Sequence, residues 1–315
     1  MIMHRIIRAV IRRLKTRIRE LIKYFKSRDL FVNWIYAIIS YILIKMRLSR
    51  GCIKVKCRSG GEACISPLLY SITCKFHAYG GLINVKCDKD SIIINGLRLK
   101  LELTNNLNLG AAVFKNYHWP IIEVFFSQDY GIVDAKDRVV VDVGAFVGDS
   151  SIYFVLRGAR RVYAIEPHPG AYAEMLENIK LNNMEDKIIP INAALGSKPG
   201  KIKIPNISLD ATARIRHKAG VIGYFEVPQV TLRQLIMSYS IEPDVLKMDC
   251  EGCEYDIILN DYDDVRLFRE LVFELHKDKG PWVELLRKLT NDFKCVETRA
   301  EGNLAIVHCT RIKLP

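Results

Sequence analysis

Past residue 138 the chain alternates apolar runs with amphipathic segments: "RVVVDVG", a helical stretch, "RVYAIEP", the helix "AYAEMLENIKLNN", "KIIPINAAL", and later "DVLKMD", "ELVFEL" and "NLAIVHC". This alternation leaves few folds open. A strand that is apolar throughout must be covered on both faces, and parallel neighbours need a crossover helix between them. The expectation is an α/β fold built on a mainly parallel sheet with helices on both faces. Ligands bind such sheets beyond the carboxyl ends of the strands, so the last residues of each run are the place to look for chemistry.

The 315 residues, half of them apolar, suffice for one such domain and a smaller appendage. With 26% charged residues and no low-complexity run, the composition is that of a globular protein. The formal charge of +12 is unevenly placed. Arg5, Arg8, Arg12, Arg13, Lys15, Arg17, Arg19, Lys23, Lys26 and Arg28 face the single acid Glu20. Over residues 2–28, Ile7, Ile11, Leu14, Ile18, Leu21 and Phe25 recur at helical spacing, which predicts a helix with one apolar stripe and basic flanks. The stripe can be covered by the protein's own core, by a second copy in a homo-oligomer, or by a membrane surface. "LFVNWIYAIISYILI", residues 30–44, reads as a buried or interfacial helix, too short at about 22 Å to cross a hydrocarbon core of roughly 30 Å. From 51 to 104, alternating runs such as "CIKVKC", "LINVKC" and "SIIINGLRLKLEL" predict a small antiparallel β unit, with Asn95-Gly96 as a hairpin turn. The domain boundaries expected are 1–50, 51–115 and 116–315.

Nine cysteines are present. Cys52, Cys57, Cys64, Cys74 and Cys87 lack the close pairs of zinc ribbons and read as buried thiols or a disulfide, and no metal is expected. The opening residues show no secretory pattern, so the location expected is cytoplasmic, with peripheral membrane contact at the inner face of the cell membrane through residues 1–44 as an option.

"VVVDVGAFVGDSS" places Gly144 and Gly148 where a strand turns into a helix and backbone N–H groups can approach a ligand. "VYAIEP" ends the next strand on Glu166, 24 positions after Asp142, an acid suited to accept hydrogen bonds from a ribose diol. Together the two ends indicate a nucleoside site without naming the cofactor.

"VVVDVGAFVGDSSIYF", "VYAIEPHPGAY", "NAALG", "TLRQLI", "LKMDCEGCEYDIIL" and "FELH", in order over roughly residues 125–310, resemble the FkbM family of S-adenosylmethionine-dependent methyltransferases. "KMDCEGCE" carries the most specific likeness. The resemblance implies a class I methyltransferase fold, Rossmann-like, with S-adenosyl-L-methionine as cofactor. It implies that Asp142, Gly144, Ala145 and Gly148 shape the pocket for the methionine end, that Glu166 meets the ribose, and that Asn192, Ala193 and Ala194 lie beside the adenine. Asp149 and Ser150 either join that pocket or cap the following helix. Asp249, at the end of the fourth strand, faces the methyl donor or the acceptor hydroxyl, or serves as a helix N-cap. Cys250 and Cys253 fall in variable slots and read as compact core fillers.

Methyl transfer to an alcohol needs the acceptor oxygen in line with the S–CH₃ bond and a group to take its proton. Asp249 and His276 are the catalytic candidates. Lys247, inside a strand, is expected to pair with Glu251 or Glu274, and Glu254 completes the supporting set. Phe146 stands where relatives carry glycine or asparagine, and Arg233 where they carry aspartate, which puts any acceptor contact there in doubt. The leading reading is O-methylation of a hydroxyl, on a small molecule or a sugar of a glycan or glycolipid. An RNA methyltransferase is the second reading, disfavoured because "MDCEGCE" occupies the place of an Asn/Asp-Pro-Pro-Tyr motif and no aromatic platform for a nucleic acid is evident. A catalytically inactive domain that binds membranes or nucleic acid is the third.

Overall fold

The computed structural model describes residues 24–80, 84–94, 97–101, 106–206, 209 and 223–312. The chain divides into two units, Met1–Val113 and Phe114–Pro315. The helix expected over 2–28 and the Asn95-Gly96 turn lie largely or wholly outside the described residues.

In the first unit the apolar segment forms the helix Trp34–Lys45. Of the two alternatives, buried or interfacial, the first does not hold: Ala37 is its one buried residue, while Ile35, Tyr36, Ile39, Ile42 and Leu43 are exposed. Beyond it, Ile53–Lys56 pairs antiparallel with Glu62–Ile65, and the strands Val85–Asp88, Ser91–Ile94 and Leu97–Leu101 form a meander. The small antiparallel β unit expected here also contains a helix that the sequence reading did not include, Pro67–Gly80. Proline at its first position is compatible with a helix start, and Leu69, Tyr70, Ile72 and Phe76 supply a buried face. Disulfides join Cys52 to Cys64 and Cys57 to Cys87, and Cys74 stays a buried thiol whose pKa burial pushes up to about 12.

The second unit holds a seven-stranded sheet: β1 (Val139–Val143), β2 (Arg161–Ile165), β3 (Ile188–Ile191), β4 (Val245–Met248), β5 (Glu270–His276), β6 (Phe293–Glu301) and β7 (Leu304–Arg311). The spatial order is β3-β2-β1-β4-β5-β7-β6. The first five strands run parallel, and β7 and β6 add antiparallel to that edge. Pro190 sits in the edge strand β3, where a missing N–H is tolerated. Every residue of β1 and β4 is buried. On one face Val139, Val141, Val143, Leu246, Met248, Leu271 and Phe273 pack with Leu235, Ile257, Ile258, Leu285 and Leu289 of the helices Leu232–Tyr239, Cys253–Asn260 and Trp282–Leu289. The opposite face carries Asp142, tied by hydrogen bonds to the helix Asp149–Leu156.

The order reverses at β1, whose neighbours are β2 and β4. At such a reversal the flanking connections leave in opposite directions and open a crevice at the carboxyl ends.

Candidate active site

Near the carboxyl ends of β1 and β4 lies a buried ion pair. Lys247 and Asp142 are register partners across β4 and β1, so their side chains share a face, and Nζ lies 2.9 Å from Oδ1. Lys247 therefore does not pair with Glu251 or Glu274, because strand register places it beside β1 instead. Its Nζ also donates to the Gly144 carbonyl at 2.9 Å. Burial opposes the lysine's charge, but Asp142 and Asp249 outweigh it and raise its pKa. The other Asp142 oxygen accepts from the hydroxyls of Ser150 and Ser151 at 2.7 and 2.6 Å. Ser150 is thus a brace for Asp142 and does not cap its helix, whose N-cap is Gly148 without a side-chain bond. Asp149, in the first turn, is buried, and burial lifts its carboxyl to about 7.

The loop from Gly144 to Gly148 is shaped by close backbone approach. Gly144 has φ +73°, and a Cβ there would overlap the Asp249 carbonyl oxygen. Gly144 and Ala145 both donate to the Ile165 carbonyl at 3.0 Å. Phe146 adopts φ +47°, with its ring edge-on to His118 at 5.1 Å. A non-glycine residue held in the left-handed region is costly and marks a turn fixed by its surroundings.

Glu166 follows β2 and is buried. It accepts from Phe146 N at 2.9 Å and His168 N at 2.7 Å, one bond per carboxylate oxygen, so each oxygen keeps a lone pair. Burial raises its pKa to about 7, with the two backbone donors acting against the rise. Asn192 ties the β2 and β3 ends together by donating to the carbonyls of Glu166 at 2.8 Å and Pro167 at 3.3 Å. Ala193 is buried, and Ala194 opens a two-residue strand beside Gln229.

Beyond β4 and β5 a second cluster forms. One ligand atom each of Asp249, Glu274 and His276 lies within 4.8 Å of the others. Asp249 is not a helix cap, since the helix Cys253–Asn260 is capped by Gly252. Its Oδ2 accepts from the Tyr130 hydroxyl at 3.0 Å. Behind the cluster Glu254 is fully buried and accepts from Gly252 N at 2.9 Å and from His276 Nδ1 at 3.1 Å. The network therefore assigns the Nδ1 proton to the Glu254 side and aims Nε2 at the carboxylates of Glu274 and Glu251, each 3.5 Å away. Glu251 in turn pairs with Lys279 at 2.7 Å. Burial and Asp249 raise the Glu274 pKa to about 8, whereas for His276 burial is outweighed by Glu254 and the pKa rises to about 9.

Two features differ from the sequence reading. Cys250 and Cys253 are joined in a disulfide at the start of the helix. They are partly buried against the core, but they are a covalent staple of the turn that carries Glu251 between Asp249 and the first turn of the helix with Glu254. Tyr130 escaped notice because it lies 119 residues from Asp249 in no motif; its ring also underlies Lys247 at 5.2 Å. Arg233 is occupied by an ion pair with Asp264.

Residues 142–295 match the family described as the methyltransferase FkbM domain. The tRNA (guanine(37)-N(1))-methyltransferase Trm5b of Methanocaldococcus jannaschii is 31% identical over 153 residues, 44% of this chain and 43% of its own. The hexuronic acid methyltransferase AglP of Haloferax volcanii is 24% identical over 147 residues, 46% of this chain and 59% of its own. The chain spans about half the length of these curated relatives. Among solved structures, the methyltransferase FkbM of Methylobacillus flagellatus superposes with a TM-score of 0.44 at 18% identity, covering 62% of this chain and 48% of that one.

Proposed function

From the FkbM methyltransferase domain that the chain carries over residues 142–295, in a class I methyltransferase fold, we propose that the protein methylates a hydroxyl oxygen, on a sugar of a glycan or glycolipid. S-adenosylmethionine, the methyl donor of this family, supplies a methyl group activated on a sulfonium. The site fits it. The two lone pairs left on buried Glu166 suit a ribose diol, whose hydroxyls would favour the ionised carboxylate against the burial that raises its pKa. Residues Gly144 to Gly148 present a backbone cradle for the methionine end, and Asn192 to Ala194 border the adenine. Asp142 is held by the ion pair with Lys247 and by the hydroxyls of Ser150 and Ser151, so it serves by keeping the cradle in place.

The observation that carries the hydroxyl reading is the cluster at the β4 and β5 ends. Asp249, partly exposed there, is positioned to take the acceptor's proton, while His276 orients the acceptor under the hold of Glu254. The relative named as a hexuronic acid methyltransferase supports a sugar acceptor. The relative named as a tRNA methyltransferase keeps RNA as the second reading.

Calorimetric titration with S-adenosylmethionine and S-adenosylhomocysteine, with NAD as control, tests the cofactor. Micromolar binding of the first two alone is expected; its absence would leave a domain without methyl-transfer function. Glu166→Ala should weaken binding about 10- to 100-fold through loss of charge-assisted hydrogen bonds. Asp249→Ala should spare cofactor binding and lower turnover on a glycan acceptor about 10²- to 10⁴-fold. Methylation of tRNA in preference to glycans would favour the second reading.

No described helix is long and apolar enough to cross a membrane. The exposed apolar residues of Trp34–Lys45, following a strongly basic segment, support peripheral contact with an anionic membrane surface, where a lipid-linked acceptor would reside.

A further inference from the structure

We propose that Asp249, Glu274 and His276 hold one divalent cation, of the Mn²⁺ type, that binds the acceptor hydroxyl. The inference rests on the methyl-transfer reading and replaces direct proton removal by Asp249 with ionisation on the cation.

The donor set is the first argument. Two carboxylates and one imidazole, with ligand atoms within 4.8 Å of one another, can close around an ion at about 2.0–2.3 Å by small side-chain rotations. Oxygen ligands with a single imidazole suit a divalent ion of intermediate hardness, and three protein ligands leave positions for water and acceptor oxygens.

A second observation comes from Glu254, outside the ligand set. A histidine that ligates a metal through one nitrogen almost always donates its other N–H to a carboxylate, which fixes the ring and strengthens the ligand. Glu254 provides this backing: it is fully buried, bonds His276 Nδ1 at 3.1 Å, and is itself held by Gly252 N. His276 is buried with Nε2 aimed into the cluster. Tyr130 holds one Asp249 oxygen in the same way.

Charge is the third. Among the described residues neither Asp249 nor Glu274 forms an ion pair with lysine or arginine, since Lys247 is committed to Asp142 and Lys279 to Glu251. Two carboxylates without a lysine or arginine partner leave a surplus of negative charge at the cluster. A cation placed there relieves it and displaces any proton held by the ligands.

The step balances. The cation-bound hydroxyl loses its proton to the partly exposed Glu251 carboxylate and thence to water. The oxygen's electron pair forms the O–CH₃ bond as the S–CH₃ bond breaks, and that bonding pair remains on sulfur, leaving S-adenosylhomocysteine neutral at sulfur.

The test titrates Mn²⁺ into chelator-stripped full-length protein, reading free Mn²⁺ by electron paramagnetic resonance and S-adenosylhomocysteine binding by calorimetry. One saturable Mn²⁺ site per chain is expected, about 10- to 100-fold weaker in Glu274→Gln and in Glu254→Gln, with near-native circular dichroism in both. Glu274 is partly exposed and its substitution isosteric, so this variant remains informative should Glu254→Gln misfold. No saturable site, or equal affinity in the wild type and Glu274→Gln, would overturn the cation while intact S-adenosylhomocysteine binding upheld the methyltransferase reading. A Mn²⁺ site sensitive to both substitutions without S-adenosylhomocysteine binding would uphold the cation site and overturn the methyltransferase reading, and with it the role assigned to the ion.

Discussion

At the scale of single residues, Glu166 and Lys247 show how burial sets charge to a task. The folded pKa of Glu166, about 7, lies above its ordinary value of 4.5, so the folded state holds this proton more tightly than the unfolded chain. The stability this contributes is complete below pH 4.5 and is lost as the pH rises through 7, at most on the order of 3 kcal/mol. Asp149, raised to about 7 for the same reason, adds to the slope. Thermal melts of the ligand-free protein should therefore fall from pH 4.5 to 7, and Glu166→Gln should flatten the fall; an unchanged slope in that variant would mean the carboxyl is not buried as described. Lys247→Met strands Asp142 without its partner and should cost about 3–5 kcal/mol in urea unfolding, with Asp142→Asn recovering part of it. Full stability in Lys247→Met alone would place the lysine outside the core.

Among elements, the disulfides separate what sequence spacing shows from what register decides. Cys295 and Cys309 are 14 apart and meet because the β6–β7 hairpin makes them direct partners. The chain-entropy model assigns that bridge about 3 kcal/mol and the four-residue loop of Cys250–Cys253 about 2 kcal/mol. Reduction should therefore cost Cys295→Ser/Cys309→Ser less than the wild type, a comparison read from melts with and without dithiothreitol. The Cys250–Cys253 spacing was visible, but its pairing depends on the helix starting at Cys253, which turns the two side chains toward each other. Six of the seven strands were legible as apolar runs, because the central strands are buried on both faces; β6 was not, since most of its residues are exposed and it carries no such run. The helix Pro67–Gly80 was not, since "PLLYSITCKF" mixes β-branched and aromatic residues whose packing, not propensity, settles the outcome.

On the scale of the molecule, two units carry different surfaces. The exposed apolar face of Trp34–Lys45 lies in the first, and the cluster of Asp249, Glu274 and His276 in the second. Ile35→Asp with Ile39→Asp should reduce co-sedimentation with phosphatidylserine vesicles and leave S-adenosylhomocysteine affinity unchanged. Vesicle binding equal to the wild type would remove the membrane contact from the proposal. Deleting residues 1–28 should lower binding further at low salt, because basic side chains near an anionic surface add about 1 kcal/mol each.

The sequence by itself determined the alternation of the central strands and helices of the second unit, the glycine turn after β1, and the acids at the ends of β2, β4 and β5, because these follow from local periodicity and backbone conformation. Only the tertiary structure decided the partners. Lys247 meets Asp142 through register between strands 105 positions apart, Tyr130 reaches Asp249 across 119, and Glu254 stands behind His276 because a helix start and a strand end converge. Hydrogen bonds and ion pairs act over a few ångströms, and which groups come within that range is fixed by the packing of the sheet rather than by their separation along the chain.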